Sequence, residues 1–295
     1  MSSRHADIET LQVCFSPRTT STDWSTCLEE SASTSVPSPI DEFYNKHAGL
    51  TALGGFIGNA LRADLAPVLA DQLLLGYVSA TELYFRRLLA ATAQICPEVR
   101  DNVRDVEIAF GAVDFYPKDG IEYSLTEKIT LTEEGKVKSL LVGRFGVSVN
   151  GTSSLSRAIS QFEKLCHLRH ALVHSSGVVN SRNAKSLGHQ ASRSNCRVSM
   201  GENQLQLAAG VCMDLVRSAN EEVARHVLWS WVVAGHLRGS KARDRTRLAR
   251  FRQVFVSTTD VNAGLSALDQ DGLHALTKKL IADLASSKLK RAAAG

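Results

Sequence analysis

The sequence predicts a mainly all-α fold, a helical bundle with a short β-hairpin inserted in it. Apolar residues recur every three to four positions through three long stretches, about 69–95, 155–173 and 207–231, which is the period of helices that bury one face. Proline and glycine punctuate these stretches: Pro67 suits a first helical turn, Pro97 stops the first stretch, and Gly177 ends the second. The segments between them are polar and rich in turn formers, as connections are.

From Ser2 to Pro39 the chain is rich in Ser and Thr, holds Pro17, Pro37 and Pro39, and shows little apolar period, so residues 1–40 are expected to be mostly disordered. Leu11, Val13 and Phe15 are an apolar cluster within it. A helix begins at Asp41, a candidate N-cap before Phe43 and Tyr44, and Gly54, Gly55 and Gly58 weaken it. The next helix runs from Pro67 to Ile95 and carries Glu82, four residues before Arg86. Residues 98–111 read as a further helix, and 110–123 as a loop because of Gly111, Pro117, Asp119 and Gly120. Thr126–Thr132 alternates like a short strand, whereas Val137, Leu140, Leu141 and Phe145 predict a helix after it. The helix over 155–173 takes Ser153 or Ser154 as its N-cap. After Gly177 comes a polar segment with Asn180, Arg182, Lys185, His189, Arg193 and Asn195. A hairpin is expected around Gly201-Glu202-Asn203, then a long helix from Leu207 to Trp231. A last amphipathic helix spans Leu273 to about Leu289. Residues 41–235 thus read as the helical domain, and 236–295 as a basic linker with a C-terminal helix.

The 295 residues, 44% of them hydrophobic, have room for a sizeable core. No apolar run approaches the length of a membrane span, and no basic segment leads into an apolar one at the N-terminus, so the expected location is cytoplasmic, with no membrane partner. Six scattered cysteines without a C-x-x-C spacing are expected to be reduced. Charge is unevenly placed. Residues 1–40 carry two basic and five acidic groups, 41–234 carry twenty of each, and 235–295 carry twelve basic and five acidic. The basic excess is densest from Arg238 to Arg252, where Arg243, Arg245, Arg247 and Arg250 crowd around a single acid, Asp244. Such a run favours a polyanion through counterion release, or is a solvated connection.

Chemistry concentrates in Cys166-His167-Leu168-Arg169-His170-Ala171-Leu172-Val173-His174-Ser175-Ser176-Gly177. At about 100° per residue the three histidines fall within roughly 60° of one another on the helix. Arg169 lies about 7.5 Å along the axis from His174 and about 140° around it, so a shared substrate joins them more readily than direct contact.

Arg169-His170-x-x-x-His174 followed by Gly177 resembles the R-x4-6-H motif of HEPN domains, and the helix with Glu82 before it and the apolar helix after it fit the wider frame over about residues 70–235. The resemblance implies a HEPN-like bundle and a metal-independent endoribonuclease, with two copies of the motif helix facing each other in a homodimer. RNA supplies its own nucleophile, the 2′-OH. His174 then acts as general base or acid, Arg169 stabilises the phosphoryl charge, and His170 orients the phosphate or assists proton transfer. Glu82 takes the acidic position near the motif, with a surface pair to Arg86 as its other reading. Arg182 and Lys185 after the motif, with Arg243, Arg245, Arg247 and Arg250, are the candidate RNA contacts. By resemblance the protein is a toxin or anti-phage effector with a separate antitoxin or sensor and no cofactor. Other HEPN domains only dimerise or bind nucleotides or RNA, which is the alternative. A zinc site on His170 and His174 is opposed by Arg169 and by the lack of an acidic ligand in the motif.

Overall fold

The computed structural model describes residues 23–28, 37–55, 57, 64–116, 118–189, 196–265 and 268–294. The expectations that fall on Leu11, Val13, Phe15, Pro17, Gly58, Pro117, Arg193 and Asn195 lie outside them. By its contacts the chain divides into two compact units, Met1–Val36 and Pro37–Gly295. In the first, the described residues form a 3-10 turn, Trp24–Cys27, capped by the Asp23 carboxylate, which accepts the Ser25 N–H at 3.0 Å.

The second unit is helical, as the apolar period predicts. Its elements are α1 (Pro39–Gly54), α2 (Ala66–Ile95), α3 (Pro97–Asn102), α4 (Phe110–Phe115), α5 (Lys136–Gly143), α6 (Ser154–His174), α7 (Ser181–Ser186), α8 (Glu202–Val233), α9 (Lys241–Phe255), α10 (Thr258–Asn262) and α11 (Gln270–Ala294), with a 3-10 helix over Lys118–Thr126. Val178–Val179 (β1) and Cys196–Arg197 (β2) pair antiparallel, Val178 opposite Arg197 and Val179 opposite Cys196.

The core is the meeting of α2, α6 and α8. Their inward residues are those of the three periodic stretches: Leu73, Leu74, Phe85, Leu88 and Leu89 on α2, Leu155, Ile159, Phe162 and Leu165 on α6, Leu215, Val223, Val227 and Trp231 on α8. Burying each such side chain contributes on the order of 1.5–3 kcal/mol, which makes these three helices the rigid frame of the unit. α1 lies along α2, and at Gly76 the Leu50 side chain packs so closely that a Cβ there would stand 2.7 Å from Leu50 Cδ2 and push that side chain aside. No described helix is long and apolar enough to cross a membrane.

Several elements depart from the sequence expectation, each for a local reason. The N-cap of α1 is Ser38, whose hydroxyl accepts the Asp41 N–H at 3.2 Å, so Asp41 sits in the first turn and its carboxylate turns elsewhere. The helix expected over 98–111 ends at Asn102, and the expected loop over 110–123 holds α4 and the 3-10 helix. Of the two readings for this region the helix after Thr132 is the one present, as α5, and the 126–132 stretch forms no strand: its carbonyls at Thr126 and Ile129 are taken by the Arg86 guanidinium. The two-stranded sheet joins 178–179 to 196–197 and does not turn at Gly201. That glycine is the N-cap of α8, and its N–H is received by Gln204 Oε1 at 3.2 Å. The basic stretch expected as a linker is the helix α9, which packs through Leu248, Phe251 and Phe255.

Candidate functional site

α6 starts where the Ser153 hydroxyl accepts the Ser156 N–H and stops at His174. Two successive left-handed residues turn the chain there, Ser176 at φ 48° and Gly177 at φ 84°. The Gly177 N–H reaches back to the Ala171 carbonyl at 2.9 Å, and the Ser175 N–H to the same oxygen at 3.0 Å. β2 clamps this turn from outside: Arg197 donates to the Ser176 carbonyl at 2.8 Å, and the Val198 N–H to the Gly177 carbonyl at 2.8 Å. The end of the motif helix is therefore held by the hairpin. This is the structural use of the insertion.

On that helix end the imidazoles of His170 and His174 face each other with ring centroids 4.7 Å apart and planes tilted by 47°. Both are exposed. Apart from this ring contact, neither has a hydrogen bond or ion pair among the described residues, and neither does the half-buried Arg169. The spacing of four residues brings the histidines together, as one helix turn must. No hydrogen bond among the described residues joins Arg169 to either ring, in keeping with its position about 140° around the helix from His174. His167 is half-buried.

Glu82 lies on α2, and one of its oxygens takes both Arg86 at 3.0 Å and the Leu131 N–H at 3.2 Å. The Arg86 pair weighed in the sequence is thus present, extended to the 130s loop. Glu82 and Arg169 nevertheless share a neighbourhood around the Cys166 thiol. Burial first, then Cys212, Glu163 and Glu82, push that thiol up to about 12, and Arg169 opposes them. Glu163, on the motif helix, holds the Gly135 N–H at 2.8 Å and so ties α6 to the start of α5.

The candidate RNA contacts separate into two groups. Arg243, Arg245 and Arg250 are exposed on α9, with no ion pair from their side chains among the described residues. Lys185 on α7 is exposed likewise, and Arg182 stands 3.8 Å from Glu134. Arg247 differs. It donates to the His236 carbonyl and lies over the Trp231 ring at 5.7 Å, as part of the packing of α9 on α8. The lone acid of the basic run, Asp244, is 2% exposed and receives the N–H groups of Arg238 and Ser240 at 3.1 and 3.0 Å, so it organises the turn into α9.

Two features had no sequence signal. Tyr44, Arg217 and Asp260 meet from α1, α8 and α10, with Arg217 donating to the Tyr44 oxygen at 2.8 Å and Tyr44 to Asp260 at 3.0 Å, beside a cavity of about 450 Å3. Cys196 and His189 meet across the ends of the 190s segment, Sγ to Nε2 at 3.1 Å. No group of three His, Cys, Asp or Glu side chains that could hold a metal ion occurs among the described residues. Comparison of the chain with models of protein families, with curated proteins and with solved structures finds no match.

Proposed function

We propose that the chain is a HEPN-type, metal-independent endoribonuclease that acts as a homodimer, in the role of a toxin or anti-phage effector. The observation that supports it is the exposed His170–His174 pair at the end of α6, with Arg169 on the same turn and none of the three engaged by another described side chain. No hydrogen bond or ion pair among the described residues commits these three side chains to the fold. In the reaction the 2′-oxygen forms a bond to phosphorus, the 5′-oxygen leaves, and one histidine removes the hydroxyl proton while another group protonates the leaving oxygen. His174 takes the first part, His170 assists or orients, and Arg169 meets the charge that builds on the phosphoryl oxygens. Two motif helices facing each other across a dimer would supply a second set of these groups. The exposed Arg243, Arg245 and Arg250 extend a basic surface suited to a polyanion.

A second reading, a HEPN-type module that binds RNA or nucleotides without cutting, is favoured by one observation. Within one chain no hydrogen bond joins Arg169 to either imidazole among the described residues, and Glu82 is already held by Arg86 and the Leu131 N–H. The experiment that separates them is cleavage of total RNA in EDTA by the intact protein and by His174→Ala, with the product ends mapped. Cyclic 2′,3′-phosphate ends made by the wild type and not by the variant support the nuclease. A folded wild-type dimer that binds RNA but leaves it intact supports the binding module.

A further inference from the structure

We propose that Cys196 and His189 form a reactive thiol site that takes up α,β-unsaturated carbonyl compounds bearing an alkyl chain. The two groups are fixed from opposite sides. Cys196 is held in β2 by its pairing with Val179, and His189 follows the left-handed Gly188, with its own N–H on the Ala184 carbonyl at 2.9 Å. The sulfur and Nε2 then stand 3.1 Å apart, with His189 exposed and Cys196 half-buried. An imidazole at this distance can take the thiol proton as the sulfur attacks, the arrangement that activates a nucleophile.

What distinguishes this pair from a surface thiol is the space beside it. Both residues line a cavity of about 460 Å3 between α6, α7, the hairpin and the first turns of α8. Its described wall is largely aliphatic, with Leu165, Leu168, Met200 and Val211, and includes the cations Lys164 and Arg197. An alkyl chain fits the aliphatic wall, and a carbonyl that gains negative charge fits the cations. In the addition, a bond forms from sulfur to the β-carbon while the thiol proton passes to His189. The carbon–carbon π pair moves toward the carbonyl as an enolate, and the α-carbon then takes the proton back from the imidazolium. Nothing leaves, and no oxidant or reductant is needed. The other described cysteines lack this setting: Cys27 is exposed, with no imidazole bonded to it among the described residues, and Cys96, Cys166 and Cys212 are buried.

The test exposes the intact protein to trans-2-nonenal and, separately, to acrylamide, and locates the adducts by peptide mass spectrometry, each rate being divided by the same reagent's rate with glutathione. Nonenal is expected to add at Cys196 at least ~10-fold faster than at Cys27, and His189→Ala to slow the addition at Cys196 by a similar factor. Acrylamide, which cannot fill the cavity, should show less than half of the nonenal preference for Cys196. Decanoate, saturated and unreactive, is expected to protect Cys196 from nonenal in the wild type, which tests the cavity without any substitution. Labelling at Cys27 before Cys196, an unchanged rate in a His189→Ala variant that unfolds at the wild-type temperature, or no protection by decanoate would each overturn the proposal.

Discussion

The Asp41 carboxylate accepts the Thr258 N–H at 3.0 Å across 217 positions of sequence, and so caps α10 with the first turn of α1. The same carboxylate takes the Ser257 hydroxyl at 2.6 Å and the Thr258 hydroxyl at 2.8 Å. Burial alone would raise its pKa, but these hydrogen bonds outweigh burial and hold it below 3.8. A carboxyl lowered on folding contributes stability above its unfolded pKa, and that contribution is lost as pH falls through the folded value. Asp41→Asn is therefore expected to lower the unfolding free energy at pH 7 by about 1–3 kcal/mol. Urea titrations at pH 7 and near pH 3 check it: the gap between variant and wild type should narrow in acid, and a constant gap would mean that the charge is not what stabilises.

Ser176 occupies a left-handed conformation, φ 48°, that costs a residue with a Cβ roughly 1 kcal/mol. Its carbonyl, held by Arg197, is main chain and survives substitution. Ser176→Gly is expected to be neutral or to stabilise by up to ~1 kcal/mol, and Ser176→Val to destabilise by ~1–2 kcal/mol, because a β-branched side chain fits that region worst. Thermal unfolding should place Ser176→Gly at or above the wild type and Ser176→Val below it.

The helices were legible in the sequence because a buried stripe writes its own period: Leu73, Leu88, Phe162 and Val223 are core residues for the reason they recur. Gly177 was legible as a stop because a left-handed residue is needed there. The histidine pair followed from spacing alone, four residues on one helix. What failed was long-range. Ser38 and Asp41 are equally good caps on paper, and only the arrival of Thr258 from the far end of the chain assigns them. Two-residue strands such as Val178–Val179 and Cys196–Arg197 are too short to show alternation, so the glycine at 201 drew the hairpin to itself. Arg247 read as one more basic residue of a run, since nothing local distinguishes an arginine packed on Trp231 from one in water.

Glu82 holds two donors, Arg86 and the Leu131 N–H, on one oxygen. Glu82→Ala would leave the Leu131 N–H without its acceptor and the half-buried Arg86 without its pair, and is expected to destabilise by ~1–3 kcal/mol. Denaturant unfolding measures this. RNA cleavage that persists in the folded fraction would place Glu82 among the supports of the fold, whereas loss of cleavage at full stability would place it in the reaction.

Burial pushes the Cys166 and Cys212 thiols up to about 12 and the Cys96 thiol up to about 11, so almost none is thiolate at neutral pH. Of the described cysteines, Cys27 and Cys196 are expected to react with Ellman's reagent in the folded protein, and the other three only after denaturation. Peptide mapping of the labelled sites decides it, and rapid labelling of Cys166 in native buffer would contradict the packing of α6 against α8.

The α9 arginines offer the clearest separation of binding from folding. Arg243, Arg245 and Arg250 are exposed, while Arg247 spans from the His236 carbonyl to the face of Trp231, a ring with no exposed surface. Replacing the three exposed arginines with glutamine is expected to leave the unfolding free energy within ~0.5 kcal/mol of the wild type, as surface changes do. RNA binding should weaken, and the slope of log affinity against log salt should fall by about 0.7 for each phosphate no longer neutralised, or about 2 for the set. Arg247→Gln should behave in the opposite way. It removes a hydrogen bond and the stacking on Trp231, so stability is expected to drop by ~1–2 kcal/mol while the salt slope stays nearly unchanged. Filter binding over a salt series, paired with urea unfolding of each variant, reads both effects. A triple variant with an unaltered salt slope would remove α9 from the RNA surface and leave the motif helix to bind alone.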